Sequence, residues 1–147
     1  MLTLQGDAFT YGRAKFSDYP PVRLEPTPKI YVKVHFGDRS QFWLAQLDTG
    51  AAWSILAPDV ARAAGISFES GDPAGLSTRF GPKRGNLVRT QLELIADEGD
   101  PLLTEGTFFV TRDWPEGLNF LGYSGLLDSI RFAVDAQANH FYFGPGV

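Results

Sequence analysis

Leu47-Asp48-Thr49-Gly50-Ala51-Ala52-Trp53-Ser54-Ile55-Leu56 is the stretch of this chain whose order says most about it. One carboxylate stands between an apolar run and a tight glycine turn. Thr49 sets a hydroxyl beside it, and Gly50 and Ala51 leave the backbone unshielded by large side chains. The apolar segment that follows carries the chain back into a core. A buried catalytic aspartate needs this setting: a strand end that fixes the carboxylate and a small-residue turn that lets other groups approach.

The sequence on either side predicts strands. In Ile30-Tyr31-Val32-Lys33-Val34-His35-Phe36 the apolar residues Ile30, Val32, Val34 and Phe36 alternate onto one face. Gly37-Asp38-Arg39-Ser40 reads as a turn, and Gln41 to Leu47 returns as the partner strand, so Asp48 falls where a hairpin arm ends. After the quoted stretch, Ala57 to Gly65 reads as a short helix with Pro58 in its first turn and Gly65 at its exit. Gly75 to Phe80 and Leu87 to Ile95 predict a long hairpin, with Gly81-Pro82-Lys83-Arg84-Gly85 as its tip. Val88, Thr90, Leu92 and Leu94 share one face of the returning arm. Thr107 to Thr111 predicts a further strand, and Tyr123 to Ile130 has helical character. Arg131 to Asp135 and His140 to Phe143 close the chain as strands around Ala136–Asn139. Val22 and Leu24 suggest an edge strand. Residues 1–20, ending at Tyr19-Pro20-Pro21, read as an extension packed onto a core of about 21–143, with a short strand at Leu2–Leu4.

Composition agrees with one mostly β domain over residues 1–147. The chain has 12 Phe, five Tyr and three Trp for packing, and 16 Gly and 10 Pro for turns. A formal charge of −4 leaves no electrostatic footprint for nucleic acid. Without cysteine, disulfides and thiolate metal sites are excluded. His35 and His140 lack metal-ligand spacing, so no metal or other cofactor is expected. The start of the chain has no basic segment followed by an apolar block, and no run approaches the roughly 18 apolar residues of a membrane helix. The expectation is a cytoplasmic protein with no membrane partner.

The segment order resembles the retropepsin family, the single-lobe aspartic proteases of retroviruses and their cellular and bacterial relatives. The resemblance rests on Asp48-Thr49-Gly50-Ala51 after a hairpin, on the Gly81–Gly85 hairpin where the family carries its flap, and on Phe120-Leu121-Gly122 ahead of a late helix with Leu126 and Leu127 buried. It covers about Pro21 to Phe143. It implies an all-β closed barrel lobe with a flap hairpin and one or two short helices, acting as an aspartic endopeptidase. It also implies Asp48 as the catalytic residue, Thr49 and Gly50 as its supports, and Ala51, Ala52, Phe80, Gly81 and Trp114 against a peptide substrate. The family's acidic residue stands here as Ala52 and its basic residue after the late glycine as Tyr123, which implies a different dimer interface. Pro82, Lys83 and Arg84 replace a purely glycine-rich tip.

Aspartic proteolysis needs two carboxylates that share one proton, because like charges in contact cannot both ionise cheaply. The chain carries one such signature. Asp128-Ser129-Ile130 and Asp135-Ala136-Gln137 lack the glycine. The second carboxylate is therefore expected from a second copy, across a two-fold axis between two Asp48 residues, with best activity in the acid range. The rival expectation is a catalytically silent module that keeps the fold for dimerisation or peptide binding. Gly122-Tyr123-Ser124-Gly125 glances at a nucleophile elbow, but its second glycine comes one residue early.

Overall fold

The computed structural model describes residues 1–17 and 29–146. The strand expected at Val22 and Leu24, and the Tyr19-Pro20-Pro21 boundary, lie outside these residues. In chain order the strands are β1 (Thr3–Leu4), β2 (Asp7–Ala8), β3 (Gly12–Lys15), β4 (Tyr31–His35), β5 (Trp43–Leu47) and β6 (Ser54–Leu56). The helix α1 (Pro58–Ala63) precedes β7 (Asp72–Thr78), β8 (Gly81–Leu94), β9 (Glu98–Gly99), β10 (Leu102–Val110), β11 (Phe120–Leu121), β12 (Ile130–Asp135) and β13 (His140–Pro145). The chain is mostly β, as its composition predicts. Among the described residues no helix is long and apolar enough to cross a membrane.

The alternation in β4 works as read. Val32 and Val34 are buried, Lys33 is exposed, and β5 pairs antiparallel with Val32 opposite Ala45. Neighbouring strands run in the order β10-β6-β11-β5-β4-β8-β7, and β10 also pairs with β8. Six of these strands thus follow one another in a ring, with β7 outside it. The buried core includes Phe108, Phe109, Leu56, Leu92 and Leu121, each at most 1% exposed, and each such side chain contributes about 1.5–3 kcal/mol by leaving water. On the outer face of β8, Arg89 and Gln91 are exposed, while Arg39 covers Glu93 at 2.7 Å.

Four expectations need correction. The long hairpin turns at Arg79-Phe80, because Thr78 pairs with Gly81 across a two-residue loop. The Thr78 hydroxyl accepts the Phe80 N–H at 3.1 Å and donates to the Gly81 carbonyl at 2.7 Å, and Gly81 takes φ +91°. Gly81 to Gly85 therefore lies in the returning strand. There Pro82 sits opposite Ser77, in a part of β8 that pairs on one side only. Gly85 is required by a close approach instead of a turn, since a Cβ on it would stand 2.2 Å from the Val110 carbonyl oxygen.

The late helix shrinks to one 3-10 turn at Leu127–Ser129. Gly125 at φ +78° and Leu126 at φ −142° interrupt any α-helix, and the Asp128 carboxylate accepts the Gly125 N–H. Leu126 and Leu127 are nevertheless buried, at 0% and 2% exposure. The strand expected at Thr107–Thr111 begins earlier, at Leu102, because β8 pairs with it continuously from Leu94 opposite Leu102 to Asn86 opposite Val110.

The fourth correction concerns residues 1–20. Their β1–β2 hairpin is exposed, but β3 lies between β13 and β9 in a second sheet, β12-β13-β3-β9. Ala14 and Phe16 are each 8% exposed. Arg13 lies 2.7 Å from Glu98 across that sheet, holding the Glu98 carboxyl below the usual carboxylate range while its own guanidinium is pushed up. The segment is thus part peripheral, part structural. Trimming residues 1–8 is expected to cost no more than about 1 kcal/mol and to leave a cooperative thermal transition. Calorimetry of the trimmed chain checks this, and loss of the transition would place the β1–β2 hairpin in the folding unit as well.

Candidate active site

Asp48 follows the last residue of β5 and is held from the backbone outward. Its N–H donates to the Leu121 carbonyl at 2.9 Å, and its own carbonyl accepts the Ala51 N–H at 3.2 Å. The Gly50 N–H reaches one carboxylate oxygen, Oδ1, at 3.0 Å. The side chain is therefore aimed by the turn that the sequence places after it. Asp48 is half-buried within one chain, less enclosed than the sequence suggests.

The turn is braced by a second loop that passes against it. Strand β11 runs between β5, to which it is parallel, and β6, to which it is antiparallel. As the chain leaves β11, Tyr123 and Ser124 donate their N–H groups to the carbonyls of Ala51 and Ala52, at 2.8 and 2.9 Å. Gly122 donates to the buried Ser54 hydroxyl at 2.8 Å. Asn119, 4% exposed, accepts the Ala57 N–H on its side-chain oxygen at 2.8 Å and gives its amide to the Leu44 carbonyl at 3.1 Å. It ties the start of α1 to β5, and nothing in its sequence neighbourhood marks it for that work.

Asp48 opens into a cleft of about 420 Å³ between this loop pair and the hairpin arm that ends at Arg79. Among the described residues Asp48 is the only carboxylate lining it. Of the residues expected at the site, Gly50, Ala51, Ala52 and Trp114 also line the cleft. Trp114 both packs and lines: its indole N–H donates to the Leu118 carbonyl at 2.8 Å, and its ring meets Phe80 at 5.2 Å and Phe120 at 6.2 Å, edge to face. Phe80 does not itself line the cleft but touches Trp114 and Arg79, which do, and Gly81 does not line it. Thr49 is exposed beside the cleft, and its hydroxyl has no hydrogen-bond partner among the described residues.

Among the lining residues that the sequence does not assign to the site, Gln46, Phe120 and Arg79 stand out. Gln46 carries Oε1 buried with no donor, alone in this among the described side chains. Its position in a strand gives no sign of this. Phe120 belongs to the element already singled out, but only its pairing with Gln46 and Ile55 carries it to the cleft. Arg79 arrives because the hairpin turns earlier than its glycines suggest. Among the described residues no group of His, Asp or Glu side chains is arranged to hold a metal ion.

The chain matches no protein-family model, and no curated protein matches it significantly. Fold and site together define a mostly β chain that presents one carboxylate, on a doubly braced turn, to an open cleft under a hairpin.

Proposed function

We propose that this protein is an aspartic endopeptidase of the retropepsin type, working as a homodimer in which two Asp48 carboxylates share one proton. The observation that carries the reading is the lone, half-buried Asp48 at the floor of an open cleft. The turn fixes its direction, yet among the described residues the cleft supplies no second acid. A two-fold axis through the two turns supplies the partner with no further residue.

In that dimer the ionised Asp48 takes a proton from a water held between the carboxylates, and the protonated one polarises the scissile carbonyl. The Gly50 N–H at Oδ1 keeps each carboxylate in one orientation. The exposed Thr49 hydroxyl, unspent among the described residues of one protomer, is free to bond across the axis. The ring of strands serves as the barrel-like lobe, and the β7–β8 hairpin serves as the flap. An extended peptide lies between hairpin and floor, using main-chain hydrogen bonds as an added strand does. Ala52 and the half-exposed Tyr123 sit beside one another on the paired loops. They make this part of the interface one of small and aromatic groups instead of ions.

The test is the dependence of peptide cleavage on protein concentration. Cleavage per protomer is expected to rise with concentration and level off where sedimentation shows dimers, within the range pH 3 to 7. Cleavage by a species that sediments as a strict monomer would remove the two-copy mechanism. A sedimenting dimer that cleaves no member of a peptide library at any of these pH values would leave the chain as a silent binding or dimerisation module.

A further inference from the structure

We propose that Arg79 selects the substrate: it binds a carboxylate of the peptide in the Asp48 cleft, so that acidic peptides are preferred. The proposal deepens the peptide-binding reading of the cleft and rests on it.

Arg79 stands in the two-residue loop of the β7–β8 hairpin, is exposed, and lines the cleft that holds Asp48. Its guanidinium lies over two aromatic rings, 5.0 Å from the centroid of Phe80 and 5.9 Å from that of Phe120. Those rings also pack on Trp114, which is 8% exposed, so the shelf beneath the cation is anchored in the core. A guanidinium resting on a ring keeps its N–H donors in the plane, pointing outward, where they match the two oxygens of a carboxylate.

Those donors are unspent among the described residues. Arg13, Arg39, Arg62, Arg89 and Arg112 each hold a carboxylate within 3.1 Å. Lys83, on the arm leaving the same turn, is paired with Asp113 at 2.9 Å. Arg79 makes no ion pair among the described residues. Arg84 and Arg131 also lack one, but neither lines this cleft. A preorganised, unpaired cation facing a cleft that binds peptide is a specificity device. The chemistry it recognises is a carboxylate, from an acidic side chain or from the end of the peptide chain.

The experiment measures peptide binding to the full-length Asp48→Asn protein, in which substrate is not consumed. Fluorescent peptides are compared in pairs, with Glu or Gln placed in turn at each position, and with a free or amidated C-terminus. At pH 6 one position is expected to favour Glu over Gln by about five- to tenfold. The preference should fade as the pH drops through about 4, where the peptide carboxyl takes up its proton. Arg79→Gln should bring the ratio close to one, Arg79→Glu should invert it in favour of Gln, and Arg79→Lys should keep part of it. A preference seen only with the free C-terminus assigns the carboxylate to the chain end; one seen with the amide assigns it to a side chain. Ratios near one in the parent protein both for Glu against Gln and for the free against the amidated C-terminus, a ratio unmoved by Arg79→Gln, or no binding of any peptide overturns the proposal. Failure of the protease reading is separate. A charge-dependent ratio in a protein that cleaves nothing keeps Arg79 and removes the catalysis, while cleavage with no charge preference does the reverse.

Discussion

Asp48→Asn is expected to fold like the parent and to lose cleavage by about a thousandfold or more, the scale of positioned acid–base catalysis. The substitution exchanges one carboxylate oxygen for an amide nitrogen at nearly constant shape. The retained oxygen can still accept the Gly50 N–H that now reaches Oδ1 at 3.0 Å. The backbone bonds of residue 48, to the Leu121 carbonyl and from the Ala51 N–H, do not involve the side chain at all. What disappears is the ability to hold or release a proton. In a dimer both copies lose it together, so no ionised member remains to activate water. The measurement is a peptide-library digest from pH 3 to 7 beside a thermal melt. Cleavage that survives at the parent rate with an unchanged melt would assign the activity to a different group or a contaminant. An unfolded variant would instead make the carboxylate structural, and Asp48→Ala, which removes the Gly50 contact as well, would then be still less stable.

Gly122→Ala is expected to be the most damaging single-methyl change near the site, costing about 3 kcal/mol or more, or roughly 10 °C in melting temperature for a chain of this length. A Cβ at residue 122 would stand 2.4 Å from the carbonyl carbon of Trp53, 2.5 Å from its oxygen and 2.7 Å from the Ser54 nitrogen. These are backbone atoms of the neighbouring loop, which cannot turn aside as a side chain would. To make room, the loops must part, and the bonds from Tyr123 and Ser124 to Ala51 and Ala52 would open with them. Activity should therefore fall beyond what the lost stability explains, because the same bonds brace the Asp48 turn. Gly50→Ala is the contrast. Its Cβ would meet only Asp48 Oδ1, at 3.4 Å, and should change stability by no more than about 0.5 kcal/mol. Equal melting temperatures for the two variants would refute this account of Gly122.

Both variants bear on what can be read from residue order. The turn that aims Asp48 is local: an apolar strand, an acid and a glycine within four residues suffice to place a backbone N–H on the carboxylate. The alternation of Ile30 to Phe36, the exit of α1 at Gly65 and the Ala136–Asn139 turn are local in the same sense, and the structure has them where the sequence predicts them. Glycines were the weak point. In Gly81 to Gly85 the sequence suggests a loop, yet Gly81 closes a turn made by its predecessors and Gly85 makes room for Val110. A glycine needed for a turn and one needed for a close approach look alike in sequence, because both needs amount to the absence of a Cβ. Gly12 misleads in the same way. It belongs to a central strand that packs against the Asp100 carbonyl, within residues that read as an irregular extension.

Sequence alone determined that this chain is mostly β and that Asp48 stands at a strand end with a small-residue turn behind it. It did so because strand periodicity and turn chemistry act over a few neighbouring residues. Tertiary structure alone decided that Tyr123 braces that turn from 72 positions beyond Ala51, that Asn119 joins α1 to β5, and that Arg79 shares a cleft with Asp48. Those relations depend on which strands pair and in what register, and pairing is settled by packing across the whole core.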